Sequence, residues 1–153
     1  MHILTGILTS LILTFAAVAQ GLPQDVADAY RAYEAAVDAE NWAEATAETA
    51  WRAAEAGGVD PETTAILAAN FGEVALVQQD NAMAARAYER AVALIEENSL
   101  TSDDYGRYLS DLARAYLGND DNRDASRAAD RAIAYFGSLP QSPAIEYAIY
   151  FNQ

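Results

Sequence analysis

From Pro61 onward the apolar positions fall at spacings of three and four, the period of a helix rather than the two-residue alternation of a strand. Ile66, Leu67, Phe71, Val74 and Ala75 fall on such a stripe and predict a helix over residues 61–77. Residues 78–81 interrupt the pattern. Ala84, Tyr88, Ala91, Val92 and Ile95 then predict a second helix over residues 82–96. Thr101 is expected to cap a third helix running to about Leu117, residues 118–122 to turn, and residues 123–136 to return as a fourth.

The same pattern recurs at a shift of 41 residues. Ala43, Ala84 and Ala125 align, as do Ala47, Tyr88 and Ala129, and Ala50, Ala91 and Ala132. Ala27, Ala68 and Leu109 match upstream, with Tyr30, Phe71 and Leu112; Trp51, Val92 and Ile133 match downstream, with Ala54, Ile95 and Phe136. Asp60-Pro61, Thr101-Ser102 and Ser142-Pro143 fall in one register, each opening on a good N-cap residue. In an alanine-rich chain the bulky positions and the caps carry this alignment. It implies units of two helices, in which alanines admit close approach and Phe71, Tyr88, Leu112 and Tyr116 fill the space between helices.

These residues resemble the tetratricopeptide repeat: Phe71-Gly72 followed by Ala84, Tyr88 and Ala91, and Leu112-Ala113 followed by Tyr116, Ala125 and Ala132. The usual period of that family is about 34 residues, and a period of 41 is closer to the longer units of kinesin-light-chain-type repeats. "AARAYERAVALIEENSLTSDD" is similar to the end of such a unit and "LSDLARAYLGND" to the start of the next. The resemblance covers residues 23–139 and is weaker in the first unit, where Arg31, Glu34 and Ala47 replace the signature residues. It implies an all-α, right-handed α-solenoid with units over residues 23–59, 60–100 and 101–141 and a partial fourth from 142.

Residues 1–19 carry no Asp, Glu, Lys or Arg, and the apolar run over residues 7–18 ends in Ala17-Val18-Ala19. That is the pattern of a secretory signal peptide cleaved before Gln20, which leaves residues 20–153 as the repeat domain and predicts a periplasmic or secreted protein. An uncleaved anchor is the alternative. Beyond Pro143 the apolar residues Ile145, Tyr147, Ile149, Tyr150 and Phe151 stand beside the single charge of Glu146. Three arrangements follow: this segment lies across the last repeat, joins two copies of the chain, or leads into a longer protein.

Composition narrows the chemistry. The formal charge is −14, from 23 acids against 9 basic residues, all of them arginine. Such a surface repels nucleic-acid phosphates and anionic headgroups and favours a basic or mixed-charge partner. Residues 21–60 hold nine of the acids and two arginines, so a basic part of a partner is expected near the first unit. There is no cysteine, and the only histidine, His2, lies in the leader, which removes Cys- and His-based nucleophiles and His-rich zinc sites. Asp120, Asn122 and Asp124 alternate as in a calcium loop, but the sixth-position glycine and twelfth-position glutamate are missing. No enzyme activity, metal or cofactor is therefore expected.

Binding remains. In the resembled family the first helix of each pair lines a concave groove that holds peptides. Register with that family puts Asn70 and Glu73 from the second unit, and Arg107, Asp111 and Arg114 from the third, on this lining. The resemblance gives Asn70 the task of bonding a peptide backbone. Arg107 and Arg114, seven residues apart on one helical face, are placed to receive a carboxylate. Local pairing of Arg107 with Asp111 and of Arg114 with Ser110 competes with that role. The expected function is a protein- or peptide-binding adaptor of the cell envelope. The alternative is a structural or oligomerisation segment at the front of a longer envelope protein, such as a TonB-like energy transducer.

Overall fold

The computed structural model describes residues 22–39 and 44–139. The expected leader and its cleavage position, Ser142-Pro143 and the apolar segment after them lie outside the described residues.

The protein is all-α. Among the described residues there are six helices: α1 (Gln24–Asp38), α2 (Glu44–Ala56), α3 (Pro61–Val77), α4 (Asn81–Glu97), α5 (Tyr105–Gly118) and α6 (Asn122–Ser138). Each packs on the next along the chain, and α3 also touches α5. The start of α3 follows from its cap: Asp60 Oδ1 accepts from the Thr63 amide at 2.9 Å, and Pro61 takes the first turn, where its missing N–H is not needed. Asp80 Oδ1 does the same for α4, accepting from the Met83 amide at 2.9 Å.

The third unit departs from expectation at its start. Thr101 does not cap a helix, because α5 begins at Tyr105. Ser102 instead folds the chain into a turn: its Oγ accepts from the Asp104 amide at 3.3 Å and its carbonyl from the Tyr105 amide at 3.2 Å. The Tyr135 hydroxyl of α6 donates to that same carbonyl at 3.0 Å and holds the turn in place.

Small residues set the distances between helices. A Cβ on Gly72 would stand 2.7 Å from the Tyr88 ring, so the α3–α4 contact at this point requires glycine. Gly106 receives the Phe136 ring in the same way between α5 and α6. Phe71, Tyr88, Tyr108 and Leu109 are wholly buried, and Trp51 of α2 stacks on Phe71 of α3 with ring centroids 5.6 Å apart. Tyr116 is only half-buried; its hydroxyl donates to Glu89.

Two further pairs tie successive units together, both 35 residues apart in sequence. Arg90 Nε donates to Glu55 at 2.7 Å, and Arg131 donates to Glu96, which also accepts from the Tyr105 hydroxyl. Asn81 Nδ2 reaches the Gly118 carbonyl at 3.0 Å and closes the end of α5.

Candidate functional site

Asn70 and Glu73 lie one turn apart on α3, and Arg107, Asp111 and Arg114 occupy a single face of α5. The contact between α3 and α5 brings the charges together: Arg107, Asp111 and Arg114 all act on Glu73 through space. Asp111 is the hub on α5. Its carboxylate takes Arg114 Nη2 at 3.3 Å and Arg107 Nη1 at 3.9 Å. The closest acidic partner of Arg107 was not legible as a site residue: Asp104, the residue before α5, accepts from Arg107 Nε at 3.1 Å. The i,i+3 spacing of Asp104 and Arg107 is the signal that marks it. The guanidinium also lies over the Tyr108 ring, 5.0 Å from its centroid. The Ser110 hydroxyl, by contrast, donates back to the Gly106 carbonyl at 2.9 Å.

Burial shapes the electrostatics. The side chains of Asp111 and Arg107 keep only 15% and 22% of their surface exposed, against 44% for Arg114. Burial pushes the Glu73 carboxyl above its ordinary range, and the Asp111 charge adds to the rise, while Arg107 and Arg114 oppose it. Asp111 is raised for the same first reason, held back by Arg114, Arg107 and the neighbouring Tyr88 hydroxyl. Burial works against the charge on Arg107, but Asp104, Tyr108, Asp111 and the Tyr88 hydroxyl outweigh it, so its pKa rises. Tyr33 of α1 is raised by burial and then by Glu73 and Glu34, which places the first unit's carboxylate in the same field.

Two polar atoms of the predicted site residues are buried without a hydrogen-bond partner among the described residues: Asn70 Oδ1 and Arg107 Nη2. Asn70 is 4% exposed, so it is a buried polar residue of α3 rather than a solvated one. One is an acceptor and the other a donor, and each is costly to bury unpaired. The Tyr88 hydroxyl is a third such atom; it lies near Asp111 without closing a bond of ordinary geometry.

A cavity of about 320 Å³ lies elsewhere, where the α4–α5 turn meets α6, between Leu100, Ser102, Tyr105 and Tyr135. Among the described residues no group of His, Cys, Asp or Glu is arranged to hold a metal ion, and no helix is long and apolar enough to cross a membrane.

No family model matches this chain, and neither a curated protein nor a solved structure shows significant similarity to it.

Proposed function

We propose that the chain is an exported adaptor built as a right-handed, tetratricopeptide-like solenoid, and that it holds an extended peptide or protein segment against α3 and α5. The 41-residue recurrence of caps and core positions supports the stacked arrangement, as do the equivalent Glu55–Arg90 and Glu96–Arg131 pairs between successive units. The leader pattern over residues 1–19 supports export. The observation that carries the binding reading is the pair of orphaned atoms, Asn70 Oδ1 and Arg107 Nη2, on the first helices of adjacent units. A peptide backbone offers both complements, an N–H for the amide oxygen and a C=O for the guanidinium.

The test is to pan a displayed random-peptide library on the immobilised chain and measure the recovered peptides against variants. Asn70→Ala and Arg107→Ala are expected to lower affinity about tenfold each, the effect of losing one hydrogen bond to a charged or buried group. Circular dichroism should show unchanged helicity. Recovery of no peptide, or peptides that bind both variants as they bind the parent, rejects the reading.

A second reading, a structural segment that associates with itself, is favoured by one observation. Leu117 and Ile133 at the last described helix pair are 60% and 63% exposed, whereas Trp51 and Val92, which share the register of Ile133, are buried.

A further inference from the structure

Among the described residues the ionisable groups around the two orphaned atoms are unevenly matched. Arg107 and Arg114 bring two positive charges, while Asp104, Asp111 and Glu73 bring three negative ones. Each guanidinium already has a carboxylate within ion-pairing distance, Arg107 to Asp104 and Asp111, Arg114 to Asp111. Among the described residues Glu73 closes no such pair; the arginines reach it only through space. Glu34, which acts on Tyr33 together with Glu73, adds a further carboxylate on the side of α1. An anionic ligand would have to displace Asp104 or Asp111 from the arginines and then sit beside Glu73. A cation set against Glu73 displaces no ion pair, since the arginines keep their own carboxylates.

We propose that the α3–α5 site selects a peptide segment carrying a lysine or arginine side chain, which sets its positive group against Glu73 while its flanking backbone bonds Asn70 Oδ1 and Arg107 Nη2. This rests on the peptide-binding reading above and reverses the carboxylate-receiving role expected for Arg107 and Arg114. In a partly desolvated place a wrong-sign neighbour is expensive, and a right-sign one adds to the countercharge that Arg107 and Arg114 give Glu73 only through space. The buried, unpartnered Asn70 oxygen makes the site more than an acidic patch, since it leaves an acceptor there that a hydrogen-bond donor would satisfy.

The same peptide library distinguishes the outcomes, panned on the full chain at about 0.15 M salt so that long-range attraction to the acidic surface is screened. The expected result is enrichment of Lys or Arg over Asp or Glu at one fixed position of the recovered peptides. Their affinity should fall about tenfold in Glu73→Gln, the loss of a charge-assisted hydrogen bond. Asp130→Asn removes an equal charge from the exposed face of α6 and should leave affinity unchanged. If peptides are recovered that have no charge preference, or an acidic one, this proposal fails while the peptide-binding reading stands. Equal weakening by Glu73→Gln and Asp130→Asn also overturns it, because the attraction is then general. If nothing is recovered, both fail.

Discussion

Gln79, Ser99 and Asp120 each stand at a positive φ, 63°, 52° and 62°, two residues beyond the end of a helix. Gly58 takes the same position after α2, at 66°. The backbone bonds show why the left-handed turn is wanted. Beyond α3, the Gln79 amide donates to the Leu76 carbonyl at 3.1 Å and the Asp80 amide to the Ala75 carbonyl at 2.9 Å, satisfying carbonyls that the helix leaves open. Left-handed backbone costs an L-residue about 1–2 kcal/mol, and glycine escapes most of that. Gln79→Gly is therefore expected to stabilise the chain by about 1 kcal/mol, read as a raised urea midpoint at unchanged slope. An unchanged or lowered midpoint would show that the Gln79 side chain contributes as much as its backbone loses. The burial of Asn70 belongs to this scale too. Register with the resembled family gives Asn70 a place on the groove lining, whereas its 4% exposure and unpaired oxygen follow from the packing of neighbouring helices and were not legible in sequence.

Within the helix pairs, size is traded between partners. Gly72 faces Tyr88; in the third unit the same two register positions hold Ala113 and Ala129, and in the first Arg31 and Ala47. The large ring and the missing side chain occur together, and where the ring becomes alanine the glycine is replaced. Gly72→Ala is expected to cost about 1–3 kcal/mol by overpacking the Tyr88 ring, and Tyr88→Ala about 3–5 kcal/mol by emptying a core site. In the double variant the added methyl should cost less than about 0.5 kcal/mol, so the cycle closes with a coupling energy of at least about 0.5 kcal/mol. Strictly additive costs in urea unfolding would mean that the two positions are not a packing pair. This exchange explains why α3 was legible in sequence to its final residue: cap, proline, stripe and small-large pair all specify the same element. The start of α5 was not legible, since its turn is held by Tyr135, more than thirty residues away. Neither Leu94 nor Ala53, the residues in the register of Tyr135, carries a hydroxyl that would announce such a contact.

At the scale of the whole chain, identical register does not mean identical surroundings. Nearly all packing is between helices adjacent in sequence, so what a residue contributes depends on whether another unit follows it. Val92 is 3% exposed and its counterpart Ile133 is 63% exposed. Sequence alignment makes these positions equivalent and cannot reveal the difference, which arises because no described helix follows α6. Val92→Ala is expected to cost about 1–2 kcal/mol, the burial of two methyl groups, while Ile133→Ala, which removes more hydrocarbon, should change stability by less than about 0.5 kcal/mol. Urea unfolding at low protein concentration measures both. A cost for Ile133→Ala as large as that of Val92→Ala would mean that this face is covered in solution. Light scattering then identifies the cover. If it is a second copy of the chain, the parent has twice the monomer mass and Ile133→Ala returns it toward the monomer, which would favour the self-associating reading over the adaptor. If the mass stays monomeric, the cover belongs to the same chain, and the adaptor reading keeps its free α3–α5 face.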